Sequence, residues 1–275
     1  MSNSVPPVDV IMSVYNDEDY LTSAIDSIIN QTYENIRVIV VDDDSDDNSW
    51  RVLKTEYSDI SSVELVRNNS NKGLPYSLNR AARISSAPLI ARMDSDDISV
   101  PNRIAEQVRS FVSCDNLDVL YTSALIIDSN RNIVTEKFIP PKARVLKELP
   151  SQCYIPHPSV MFTRSFFKDI GGYNESFRRR QDVELWYRAR SHGATFKQLG
   201  DALLLYRVEF SEKGARSGAF QKAVTCITHN NKMGALKYLS DLDSIEILFL
   251  FMRLIIPFKL YMFKKSLREA APRVG

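Results

Sequence analysis

The sequence predicts an α/β protein with a mostly parallel central sheet flanked by helices and an antiparallel portion in its second half. Three observations carry this. Four short apolar runs, at 8–14, 36–41, 63–66 and 89–93, alternate with segments whose apolar residues recur at helical spacing. Two of these runs, 36–41 and 89–93, stop abruptly in clusters of aspartate. Beyond residue 115 the runs come instead as close pairs separated by turn residues, the pattern of antiparallel hairpins.

The elements follow in order. Val8 to Val14 is apolar and β-branched and makes the first strand, after which Asn16 or Asp17 can cap a helix. Tyr20, Leu21, Ala24, Ile25, Ile28 and Ile29 form that helix's apolar face. The second strand, 36–41, runs into Asp42 to Asp47, and Trp50, Leu53 and Tyr57 then give a short helix. A third strand covers Val63 to Val66, followed by the polar loop Asn68 to Gly73 and a helix through Leu78, Ala81 and Ala82. Leu89 to Met93 is the fourth strand; past its acidic end, Pro101 precedes Ile104, Val108, Phe111 and Val112 at helical spacing. Such β–α alternation favours a parallel, doubly wound sheet.

In the second half, 119–127 and 133–138 flank Asp128-Ser129-Asn130-Arg131 and read as a hairpin, and Pro140-Pro141 punctuates the chain. Ser159 to Phe162 reads as a strand, Gly171-Gly172 as a turn, and 181–191 as a helix that packs through Val183, Leu185, Trp186 and Ala189. Two more strands are expected at 195–199 and 203–208. Residues 245–263 are apolar but interrupted by Glu246, Arg253, Pro257 and Lys259, short of the ~20 apolar residues of a spanning helix. They read as a terminal helix either docked on the core or lying at an interface, and Lys264, Lys265, Arg268 and Arg273 beside them tip the reading slightly towards peripheral contact with an anionic membrane surface. The expected organisation is an α/β ligand-binding half over 5–115, a second half of the same domain over 116–210, and a helical segment over 211–275.

Composition narrows the function. Lys and Arg total 35 against 34 Asp and Glu, so no global field favours nucleic acid. Cys114, Cys153 and Cys226 lack zinc-ligand spacing and read as free, apolar thiols in a reducing compartment. The N-terminus carries no basic region followed by an apolar one, so a cytoplasmic protein is expected.

The chemistry concentrates in three places. Asp94, Asp96 and Asp97 close the fourth strand, and three carboxylates that near repel one another unless a cation or hydrogen bonds offset them. A second acidic corner closes the second strand, on the same carboxyl edge where open α/β sheets bind ligands. These carboxylates could hold a hard divalent cation such as Mn2+ or Mg2+, or accept hydrogen bonds from a base or ribose. No glycine-rich phosphate loop is present. Third, Arg178-Arg179-Arg180 precedes Asp182 and Glu184 at a helix start: either acid would serve as a general base, with Arg180 and its neighbours near phosphate. Both acids would equally suit the helix dipole in a purely structural role. His157, between two prolines, is by itself more simply a structural histidine than a ligand.

The ordered motifs Ile11-Met12-Ser13-Val14-Tyr15-Asn16, Val40-Val41-Asp42-Asp43-Asp44-Ser45, Asn71-Lys72-Gly73, Met93-Asp94-Ser95-Asp96-Asp97 and Gln181-Asp182-Val183-Glu184-Leu185-Trp186 resemble those of family 2 glycosyltransferases. The resemblance covers roughly residues 5–210. It implies the GT-A fold and inverting, metal-dependent transfer from a nucleotide sugar, most often a UDP-sugar, to a glycan or lipid-linked saccharide. It further implies that Ser13 lies at the nucleotide, that Asp43 accepts from uracil, and that Lys72 approaches the donor. Asp94 and Asp96 match the DxD pair on ribose and metal, Asp97 supports them, Asp182 matches the base, and His157 lines the site. Asp44 stands where the family commonly has glycine. The Gln-x-x-Arg-Trp motif of processive synthases is absent, which points to single-sugar addition in assembly of a surface polysaccharide such as O-antigen or capsule. That setting places the enzyme at the inner face of the membrane.

Other classes fit parts of the pattern. The 41–44 corner also resembles a phospho-receiver pocket, but such a signalling module leaves 94–97 and 181–186 unused. A nucleotidyltransferase forming sugar nucleotides would carry a glycine-rich N-terminal loop, which Val10 to Asn16 lacks. A catalytically inactive binding module has no need of all these carboxylates.

Overall fold

The computed structural model describes residues 5–137, 139–149 and 153–208; the expected helical, membrane-contacting segment at 211–275, with Cys226, lies outside them. Strands β1 (Val8–Val14), β2 (Ile36–Asp42), β3 (Val63–Arg67) and β4 (Leu89–Asp94) are parallel, in the order β3-β2-β1-β4. Every residue of β1 is buried, as a central strand covered on both faces requires. Its alternate residues feed two cores. Val8, Val10, Met12 and Val14 pack with α1 (Leu21–Ile29), α2 (Ser49–Tyr57) and α4 (Arg103–Val112). Ile11 faces α3 (Leu74–Ile84) on the other side.

The second half extends the same sheet. Past β4 come β8 (Met161–Thr163), then β6 (Val119–Ile127) and β9 (Phe196–Arg207). β8 is antiparallel to both β4 and β6, and β7 (Ile133–Glu136) pairs with β6 as the expected hairpin. The short β5 (Ile98–Ser99), directly after the acidic corner, pairs with β9, so the far strand of the sheet returns beside Asp96 and Asp97. Helices α5 (Lys142–Glu148), α6 (Arg164–Asp169) and α7 (Gln181–Ser191) complete the described chain; α5 and α6 have no clear sequence signal. Among the described residues no helix is long and apolar enough to cross a membrane.

Three local expectations are corrected. The first helix begins at Leu21 with no side-chain cap; Asn16 and Asp17 turn elsewhere, because their side chains are engaged by the acidic loops. Residues 157–159 form a 3-10 turn rather than a strand start, since Pro156 and Pro158 have no N–H for a ladder and hold extended or turn backbone. The two strands expected at 195–199 and 203–208 are one continuous strand; the exposed Gly200-Asp201 pair is absorbed by a register shift opposite Thr122 and Ser123.

Candidate active site

The carboxyl ends of β1, β2 and β4 are in register: Ser13 sits opposite Val41 on one side and Asp94 on the other, and Val14 opposite Asp42. Two acidic corners are thereby brought to one edge. At the first, one ligand atom from each of Asp94, Asp96 and Asp97 lies within 4.8 Å of the others. Burial together with the charges of Asp94 and Asp17 pushes the Asp96 carboxyl up to about 7. Burial and the charges of Asp94 and Asp96 hold Asp97 well above its ordinary range.

Protein groups offset this repulsion only in part. Arg92, fully buried in β4, pairs with Asp94 through one Nη, while its Nε and other Nη have no partner among the described residues. Asp97 Oδ1 accepts from the Arg207 backbone N–H at 2.7 Å, and its buried Oδ2 accepts nothing from the described residues. Arg207, the last residue of β9, also donates from Nε to the Asp96 carbonyl at 2.7 Å and from Nη1 to the Asp128 and Ser129 carbonyls, and stacks over Tyr20. An orphaned carboxylate oxygen within a three-carboxylate cluster suits a hard divalent cation with oxygen ligands. Asp94 and Asp96 are the more open of the three and would contact it; Asp97, clamped from behind, would support them.

The second corner organises a loop. Asp43, 2% exposed, accepts from Asn68 Nδ2 (2.6 Å), Lys72 N–H (2.9 Å) and Gly73 N–H (2.7 Å). Its carboxylate thus fixes the segment carrying the exposed Lys72 side chain, and these protein donors occupy most of its acceptor capacity. Asp44 takes the left-handed conformation (φ 63°) that glycine would fill in this turn, which aspartate tolerates. Asp42 is wholly buried and pairs with Arg67, although burial pushes its carboxyl up.

The two carboxylates of α7 separate by environment. Glu184 is held by both oxygens on the Arg188 guanidinium at 2.8 Å, and Arg188 also grips the Ile170 and Gly172 carbonyls. Asp182, half-buried, accepts no hydrogen bond from the described residues, and its charge acts on Lys137, Cys153 and Tyr173. Its effect is visible at Cys153, where burial and then Asp182 push the thiol up to about 12. His157 is buried with Nε2 2.7 Å from the Tyr173 hydroxyl and its ring edge-on to Trp186. Burial, then Arg92 and Lys137, hold it well below its usual range, so it stays neutral. Arg180 is exposed, at a left-handed residue before α7.

Sequence reasoning passed over Arg92, Arg207 and Tyr173. The first had a signal, an arginine inside an otherwise apolar strand; the other two are brought in by the curl of the sheet and left none.

The mixed sheet, mostly parallel, with two acidic corners on its carboxyl edge is the GT-A architecture of glycosyltransferases. Residues 9–171, more than half of the chain, match Glycosyl transferase family 2, and the chain belongs to that family. It is 33% identical over 180 residues to the Escherichia coli UDP-Glc:alpha-D-GlcNAc-diphosphoundecaprenol beta-1,3-glucosyltransferase WfgD, covering 65% of this chain and 68% of the relative. Among solved structures, residues 1–349 of TarS from S. aureus, in complex with UDP, superpose with a TM-score of 0.60 at 18% identity, over 85% of this chain and 70% of that one. The mannosyltransferase PcManGT of Pyrobaculum calidifontis, in complex with GDP-Man and Mn2+, gives 0.61 at 17% identity, over 82% and 64%. Family membership sets aside the receiver and nucleotidyltransferase alternatives.

Proposed function

We propose that the protein is an inverting glycosyltransferase that moves one sugar from a UDP-sugar to a hydroxyl of a lipid-linked saccharide or glycan, with divalent-metal assistance and Asp182 as general base. One contrast carries this reading: Glu184 is neutralised by Arg188, whereas Asp182 has no hydrogen bond or ion pair among the described residues and its charge reaches Tyr173, the partner of His157. The UDP donor and the lipid diphosphate acceptor are supported by the activity of the E. coli relative, a transfer from UDP-Glc to alpha-D-GlcNAc-diphosphoundecaprenol.

In this mechanism Asp94 and Asp96 would hold the cation, and Arg92 keeps Asp94 oriented through their ion pair. The cation would supply electrophilic stabilisation of the departing nucleotide diphosphate. Asp43 holds the loop that brings Lys72 toward the donor, and Ser13 lines the nucleotide between the two corners. Asp182 takes the acceptor proton at its carboxylate while the hydroxyl attacks the anomeric carbon from the face opposite the leaving group. Neutral His157 and Tyr173 hold that wall of the site by their mutual hydrogen bond. The enzyme would work at the inner face of the membrane, in assembly of a surface polysaccharide.

Calorimetric titration with UDP, GDP and ADP, in Mn2+ and after chelation, tests the donor site. UDP binding that vanishes on chelation is the expected result; equal binding of all three nucleotides, or binding indifferent to chelator, contradicts it.

A further inference from the structure

The loop ahead of α7 is a built turn with an unusual surface. The Asn174 side-chain oxygen accepts from Ser176 N–H (3.1 Å) and Ser176 Oγ (2.7 Å), and its carbonyl from Phe177 N–H (3.1 Å). An asparagine that captures the backbone two residues on is a self-sufficient turn, so the residues after it are presented rather than packed. Phe177 is 41% exposed, and Arg178 and Arg179 are exposed beside it. Neither of these two arginines has a hydrogen-bond or ion-pair partner among the described residues, whereas Arg92 and Arg188, on the neighbouring walls, are paired with carboxylates. An exposed aromatic ring beside two adjacent cations without protein partners suits an anionic, partly apolar partner.

Position identifies the partner. Arg179 and Arg178 lie three and four residues before Asp182, which limits them to about 10–14 Å along the chain from the base. In a saccharide diphosphate, the diphosphate is one ring away from the hydroxyl that the base would deprotonate. Two neighbouring guanidinium forks match its two linked phosphates. A phospholipid headgroup, with one phosphodiester charge, leaves one fork unmatched, and a free phosphate makes no use of Phe177. We propose that Phe177, Arg178 and Arg179 form the subsite for the diphosphate of a membrane-anchored saccharide diphosphate acceptor, with Phe177 at the bilayer interface. The inference rests on Asp182 facing the acceptor.

The test uses the full chain and phosphatidylcholine vesicles doped either with polyprenyl diphosphate or with phosphatidylglycerol at matched charge. The wild type is expected to bind the diphosphate vesicles more tightly. A basic residue near an anionic surface contributes about 5-fold, so R178Q/R179Q should weaken binding to diphosphate vesicles about 25-fold and change the phosphatidylglycerol vesicles less. Equal losses on both vesicles make the loop a general lipid contact and overturn the proposal, as does unchanged binding of the double variant or no wild-type preference. UDP binding with Mn2+, measured on the same preparations, separates the two readings. If it is retained while the preference is missing, only this inference fails; if it too is missing, the transferase reading fails.

Discussion

Replacing Asp43 by alanine removes the acceptor that holds the 68–73 loop. Asn68 Nδ2 keeps its second bond, to Ser77 Oγ at 2.8 Å, but the Lys72 and Gly73 N–H groups lose their only acceptor among the described residues. Hydrogen bonds to a charged acceptor contribute about 1.5–3 kcal/mol each, and the site is almost inaccessible to compensating water. Two such losses, partly relieved because Lys72 is exposed and the loop can relax, put the expected destabilisation at about 2–4 kcal/mol. Urea unfolding should show that as a lower midpoint with an unchanged slope. Because the proposed mechanism has the same loop bring Lys72 to the donor, UDP affinity at a temperature where the variant is folded should fall as well. A loss under about 1 kcal/mol with UDP affinity intact would refute the assignment of Asp43 as the loop's anchor.

Other predictions follow the same geometry. Asp96→Ala should abolish metal-dependent UDP binding; affinity unchanged with and without chelator is the contrary result. Glu184→Gln should cost about 1–3 kcal/mol in thermal unfolding, through loss of the Arg188 clamp, while the turnover of folded enzyme stays near wild type. A large fall in kcat there would return Glu184 to candidacy as the base. Burial raises the Asp9 carboxyl, but Arg37 and the Ser85, Ser86 and Ala87 donors bring it below the ordinary 3.8. Its stabilisation is therefore fully present above pH ~4 and lost as pH falls through the lowered value. Asp9→Asn should flatten the stability curve below pH 4; an unaltered acid limb would assign that limb to other carboxylates.

How much of this was legible in the sequence depends on range. β1, β2 and β4 announce themselves because each is a mostly apolar, largely buried run, β3 less so as a short, half-buried edge strand, and the helices between them because their apolar residues repeat at one spacing. The two acidic corners were legible because both follow such runs directly. What the sequence could not carry was the return of β9 to the acidic corner through its pairing with β5. That contact places Arg207 against Asp96 and Asp97 across more than a hundred residues. Nor could spacing rank Asp182 against Glu184: both lie in the first turn of α7, and only the position of Arg188, one turn on and bonded to the 170–172 turn, distinguishes them. The strand expected from Ser159 begins only at Met161, because periodicity ignores the missing donors of Pro156 and Pro158 that leave a 3-10 turn ahead of it.

The central claim is that Asp182 is the base and does not bind the donor. Steady-state turnover of Asp182→Asn with the UDP-sugar and lipid-linked saccharide that the wild type turns over, alongside calorimetric UDP binding, tests it most directly. The account predicts UDP affinity within about 2-fold of wild type and kcat reduced by about 10²–10⁴-fold. Turnover at the wild-type rate would contradict it.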